Sequence, residues 1–172
     1  MPALRAMAKR IGRDHELALD LWKEGARETR ILAGLAADPG RVDGRLMDRW
    51  AAEFDCWEIC DQTCMNLFWR TDHSFEKCRE WSAREEEYVK RAAFALMAVL
   101  AVKDKGPQDT AFEEMLELIK RESSDSRKMV RKAVNWALRQ IGKRNRQLNA
   151  KALVVAKEIR ESDAPAAGWV GS

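Results

Sequence analysis

The sequence predicts an all-α protein: a HEAT-like, right-handed α-α superhelix of antiparallel helix pairs over residues 1–162, followed by a tail at 163–172. Three observations predict it. Ala, Leu, Glu, Lys and Arg dominate, and no stretch alternates as a half-buried strand does. Apolar residues recur at helical spacing in ten segments joined by short links, and short links make consecutive helices antiparallel neighbours. Helix pairs recur at roughly 35–45 residues, a period that suits stacked pairs. A plain helical bundle is the alternative.

The segments are 2–11, 14–24, 26–37, 43–54, 55–70, 75–83, 85–103, 108–122, 126–142 and 147–161. Asp14 can cap the second, and Gly25 stops it. "DPGRVDG" at 38–44 is a turn ahead of the fourth. Trp22, Trp50 and Trp81 fall where amphipathic helices pack and read as core, whereas Trp69 is core or surface. The seventh segment holds the longest uncharged apolar run, Ala92 to Val102. That run is far short of the roughly 20 residues a bilayer span needs, so it reads as a buried central helix. "DKGPQD" at 104–109 ends it and puts Pro107 at the start of the eighth. "SSD" at 123–125 offers caps for the ninth, and "ESDAPAAGWVGS" from Glu161 onward reads as a tail.

With 46% apolar and 34% charged residues, the composition is that of a soluble globular protein. "MPALRAMAKRIGRDHE" has no signal-peptide core, so a cytoplasmic protein without a membrane partner is expected. Cys56, Cys60 and Cys64 follow one another at helical spacing and are poorly placed for a disulfide on one helix. With Cys78 they read as small, reduced core residues. No His stands at matching spacing, so no metal site is expected. His15 and His73 have no partner pattern for a triad or zinc site, and no Gly-rich phosphate loop is present. The net charge of +3 is unevenly spread. Residues 121–172 hold 12 Lys/Arg and 5 Asp/Glu, net +7, against 19 and 23, net −4, before them. A basic C-terminal third points to a polyanionic partner or simply to solubility.

Three side chains sit against the pattern. On a wheel of segment 55–70, Asp61, Cys60, Cys64 and Phe68 fall within roughly 60° of Trp57, at about 100° per residue. Asp61 is therefore on the apolar side, one turn after Trp57. A carboxylate there needs a cation, a hydrogen-bond donor or an open cleft. On segment 126–142, Trp136 lies outside the apolar arc of Val130, Ala133, Val134, Ala137, Leu138 and Ile141. Its neighbours are Lys132, Arg139 and Lys143, with Arg144 and Arg146 beyond. Such a stripe suits phosphates with sugar or base contacts, or else Trp136 covers a neighbouring helix while the cations are solvated. Arg91 opens the apolar run of the seventh segment, where it can meet either Asp61 or a phosphate.

"FDCWEICDQTC", "YVKRAAFALMAVLAV" and "VRKAVNWALRQIGKRN", in that order and on helices, resemble the DNA alkylation repair family of HEAT-like glycosylases. "WKEGARETRILAGLAADP" resembles its first repeat, and the likeness runs from about Ala3 to Ile159. In that family a Trp and an Asp one turn apart, a cleft Arg and a later Trp face the damaged nucleotide. The positions that match are Trp57, Asp61, Arg91 and Trp136. The resemblance implies excision of N3- and N7-alkylated purines from double-stranded DNA without base flipping, by a monomer that needs no metal or organic cofactor. In that reading Asp61 is the catalytic carboxylate, and Trp57 and Trp136 hold the lesion nucleotide. Arg91, Lys132, Arg139, Lys143 and Arg144 then serve the DNA. The chain is shorter than typical members, so an N-terminal helix pair that helps wrap DNA is expected to be missing or reduced. Some relatives keep the fold and bind unusual DNA structures without glycosylase activity. A non-catalytic DNA binder, or a HEAT-type scaffold for an acidic protein, are the other readings.

Overall fold

The computed structural model describes residues 1–106 and 108–162. Among these, ten α-helices follow one another: α1 (Pro2–Ile11), α2 (His15–Lys23), α3 (Arg27–Ala36), α4 (Gly44–Ala52), α5 (Trp57–Asn66), α6 (Ser74–Ser82), α7 (Glu87–Lys103), α8 (Asp109–Glu122), α9 (Lys128–Gly142) and α10 (Arg146–Glu161). Single 3-10 turns, Pro39–Arg41 and Phe68–Arg70, lie in the links after α3 and α5. No described helix is long and apolar enough to cross a membrane. The expectations for Pro107 and for the tail at 163–172 lie outside the described residues.

Local chemistry sets the boundaries. Asp14, Asp43 and Asn145 accept the backbone N–H of Leu17, Leu46 and Leu148 at 3.0, 2.7 and 2.9 Å, capping α2, α4 and α10. Gly25, at φ 76°, takes the left-handed turn that ends α2. Asp125 does not cap α9. It accepts the N–H of Arg127 at 3.0 Å, and Arg127 itself is the N-cap residue, without a side-chain cap.

One segment departs from its expected form. The stretch 55–70 is not one helix: α5 starts at Trp57 and gives way at Leu67, whose φ/ψ of −125°/−65° leaves the helical region. Leu67 and Phe68 are both fully buried. Adjacent residues on a helix point about 100° apart, so turning the chain lets both enter the core. Asn66 marks the end, donating to the Gln62 carbonyl at 2.7 Å.

The helices form two layers. In one, α1, α3, α5, α7 and α9 pack side by side in that order; in the other, α6 packs on α8 and α8 on α10. Close pairs such as α2/α3, α6/α7 and α9/α10 join the layers. Neighbours within the odd layer run parallel. Cys60 and Cys64 donate their thiols, each at 3.7 Å, to the carbonyls of Tyr88 and Ala92, a constant offset along α5 and α7. Arg91 near the start of α7 reaches Met129 near the start of α9, while Arg144 just past α9 reaches Ala101 near the end of α7. This is the HEAT-like arrangement. α7 is its centre: Ala92 through Ala101 are buried, and α4, α5, α6, α8 and α9 all touch it. Trp22 and Trp50 stack at 4.0 Å within the core, and Trp81 is buried beside Phe68. The cysteines are unpaired, and three of the four are buried.

A charged cluster fastens the start of α9. Lys90 on α7 contacts Glu122 at 2.8 Å and Asp125 at 3.5 Å, and Arg127 closes on Asp125 and the Glu85 carbonyl. Burial opposes ionisation of Glu122 and Asp125. The hydrogen bonds from Lys90 and Arg121 to one, and from Arg127 to the other, outweigh it and leave both carboxyls below their ordinary pKa. A lowered folded-state pKa adds stability above the ordinary values of 4.5 and 3.8, and this is lost as pH falls through the depressed values. Glu122→Gln/Asp125→Asn should therefore have a lower urea midpoint than the parent chain at pH 7, with the difference closing on acidification.

Candidate nucleic-acid interface

A carboxylate on the apolar side of α5 is tolerated because α7 supplies its counter-ion. Arg91 Nε donates to Asp61 Oδ1 at 2.9 Å and Nη2 to Oδ2 at 2.8 Å, a bidentate pair between neighbouring helices. The remaining nitrogen, Nη1, donates to the Met129 carbonyl at 2.6 Å and ties in α9. Both side chains are largely buried, with 11% of Asp61 and 7% of Arg91 exposed. Burial pushes the Asp61 carboxyl above its ordinary pKa, against the pull of Arg91. Burial pulls Arg91 down, but the hydrogen bonds and charge of Asp61 more than restore it, so it too is raised.

The pair is not sealed. It forms the floor of an open cleft of about 310 Å3, lined by Trp57, Asp61, Arg91, Met129 and Lys132. Trp57, the first residue of α5, is 47% exposed at the rim. Lys132 is exposed on the α9 side. The lining residues all come from the first two turns of three parallel helices, so the positive ends of three peptide dipoles lie on this side. None of these three N-termini has a side-chain cap. The pair is neutral and Lys132 adds a positive charge, so the cleft favours an anion at its rim. A larger depression of about 460 Å3, between α8 and α10, contains Glu113, Glu114, Glu117 and Glu158 beside Lys120 and Lys151. Its excess of carboxylates makes it a poor seat for a polyanion.

The other expected residues distribute as follows. Trp136 is one turn beyond Lys132 on α9, half-buried and packed against the core, and does not line the cleft. Arg139 and Lys143 are exposed farther along the same helix face. Arg144 is turned inward. It donates to the carbonyls of Ala101 and Asp104 at 3.2 and 2.5 Å and lies 4.2 Å from the centre of the Phe112 ring. It therefore closes the C-terminal end of α7, where carbonyls lack helical partners, instead of extending the basic stripe. Arg91 likewise serves Asp61 and Met129, with one hydrogen bond from each of its three nitrogens, while it lines the cleft. Met129 was not among the expected residues. It lines the cleft and accepts from Arg91 through its backbone carbonyl, which no side-chain pattern marks.

The profile of a protein family described as "DNA alkylation repair enzyme" matches residues 1–164. The chain belongs to this family. A solved structure described as "A new family of proteins related to the HEAT-like repeat DNA glycosylases with affinity for branched DNA structures" superposes with a TM-score of 0.81. It is 24% identical, and the match covers 91% of this chain and 68% of that one, so the two share the fold. No curated protein matches the sequence. The family assignment agrees with the layered helix pairs.

Removing one partner of a buried bidentate pair strands the other charge, at a cost of about 3–5 kcal/mol. Arg91→Met should show a loss of that order in urea denaturation. Asp61→Leu/Arg91→Met, which removes both charges, should lose clearly less.

Proposed function

We propose that this chain binds double-stranded DNA across its odd-helix layer, as a monomer, and hydrolyses the N-glycosidic bond of N3- or N7-alkylated purines. The observation that carries the reading is the half-exposed indole of Trp57 at the mouth of an open cleft, with the Asp61 carboxylate one turn below it on the same helix. Membership of a DNA alkylation repair family supports the substrate class. An N3- or N7-alkylated purine is cationic, so its glycosidic electron pair leaves with a base that departs neutral and needs no protonation. What remains is a sugar with oxocarbenium character, which water must attack. A fixed carboxylate stabilises that cation and orients the water, whose proton passes to Asp61 or to solvent. In this mechanism Arg91 is a positioning residue: it fixes both oxygens of Asp61 and does not grip phosphates. The face of Trp57 packs on the deoxyribose and attracts positive charge. Lys132, Arg139 and Lys143 contact flanking phosphates, and Trp136 supports the stripe from its partly buried position. No step uses a metal or an organic cofactor.

The Arg91 clamp also favours a second reading. With both Asp61 oxygens already accepting from one guanidinium, the same surface serves a non-catalytic binder of damaged, bent or branched DNA. The structural relative described as having affinity for branched DNA lends it support.

Release of alkylated purine from methylated duplex separates the two. The catalytic reading expects release by the parent chain, and its loss in Asp61→Asn with duplex affinity largely kept. Equal release by both proteins would remove Asp61 from the chemistry, and no release by the parent would leave the binding reading. Lys132→Ala/Arg139→Ala should weaken binding to all duplexes and reduce the slope of log K against log salt by about 2, near 0.9 for each phosphate neutralised. An unchanged slope would show that this stripe is not the DNA surface.

A further inference from the structure

One group in the cleft lining can do more than the excision mechanism asks of it. Lys132 stands on the α9 side, and its primary amine is the only one among the lining residues. Several other lysines are occupied: Lys77 by Asp48 and Glu80, Lys90 by Glu122 and Asp125, Lys120 by Glu158 and Lys151 by Glu113. Among the described residues none forms an ion pair with Lys132. Asp61 lines the same cleft, but Arg91 already takes both of its oxygens. The arrangement therefore keeps a carboxylate fixed and leaves an amine uncommitted beside it. A guanidinium can only attract a sugar-phosphate, whereas an amine can also add to a carbonyl carbon.

Base excision creates such a carbonyl. Once the purine has left, the C1′-hydroxyl sugar opens to a chain whose C1′ is an aldehyde. The reading above places that sugar against the face of Trp57 with C1′ turned to Asp61. The aldehyde then forms in the space that Lys132 borders.

We propose that the chain is also an abasic-site lyase, in which the Lys132 amine captures this aldehyde as an imine. Nζ adds to C1′, and the carbonyl oxygen leaves as water, giving an iminium ion. The iminium makes the C2′ hydrogen acidic. Its proton passes to Asp61 or to solvent, the C–H electron pair forms a C2′–C3′ double bond, and the C3′–O bond breaks. The 3′ phosphate leaves with that bonding pair, which cuts the strand. Water hydrolyses the imine, releasing an unsaturated aldehyde and restoring the amine. The water lost on capture is returned on release, so no oxidant or reductant is needed. This inference rests on the DNA-binding reading and on the cleft as the seat of the lesion sugar, but not on excision, because an abasic sugar made beforehand is itself a substrate.

The test mixes the chain with a duplex holding a single abasic sugar, made by removing uracil with a separate enzyme, and adds borohydride. Borohydride reduces an imine to a stable amine. The parent chain should give a covalent protein–DNA complex, and peptide mapping should place the bond on Lys132. Without borohydride it should cut the strand on the 3′ side of the abasic sugar. Lys132→Ala and Lys132→Arg should both lose nearly all of the trapped complex and of the cutting. The arginine variant keeps the cation, and duplex affinity measured in parallel separates lost chemistry from lost binding. Lys128→Ala is the control, since Lys128 is exposed one turn earlier on α9, outside the cleft lining, and should trap as the parent does. No trapped complex from a parent chain that binds the duplex would overturn the proposal, as would a complex undiminished in Lys132→Arg or mapped to other amines. Trapping on Lys132 with the strand left intact would overturn the elimination step. Trapping and cutting by a chain that releases no alkylated purine would uphold this inference and overturn the excision reading alone.

Discussion

The pairing of Asp61 with Arg91 is the constraint around which the central helices are arranged. Two opposite charges taken from water must meet in good geometry and satisfy their remaining donors and acceptors, or burial costs more than it returns. Here the fork of Arg91 meets both carboxylate oxygens, and its third nitrogen ends on the Met129 carbonyl. One guanidinium thereby refers α5, α7 and α9 to each other at the level of the cleft. The thiols of Cys60 and Cys64 donate along the same interface and hold α5 in register with α7. The cleft has its shape because these contacts leave Trp57 and Lys132 on opposite rims with the pair between them.

The helix-level fold was legible because the chain is well punctuated. Asp14, Gly25 and Asp43 act at the boundaries where their chemistry points, and the alanine-rich run beginning at Ala92 is central for the reason its composition suggests. The break inside 55–70 was not legible. It depends on where Leu67 and Phe68 find space in the assembled core, a tertiary demand with no Gly or Pro to announce it.

For the site, helical-wheel geometry was enough to mark Asp61 and Trp136 as out of place, since an anomaly needs only one helix to be seen. Assigning partners needs two. Arg91 could have met either Asp61 or a phosphate, and only the packing of α7 on α5 gives it to Asp61. Arg144 belonged to a basic run in the sequence, yet the free carbonyls at the end of α7 draw it inward. Backbone acceptors carry no residue label, so such contacts are invisible to pattern reading; the Met129 carbonyl escaped notice for the same reason.

The many neighbours of α7 bear on how the molecule comes apart. In an ideal repeat array each unit touches only the units beside it, and unfolding can start at either end and creep inward. Here α7 touches α6, its own pair partner, and α4, α5, α8 and α9 of the two flanking pairs, so one helix couples three successive pairs. Loosening any of these pairs exposes part of the buried apolar surface of α7, so the three should open together.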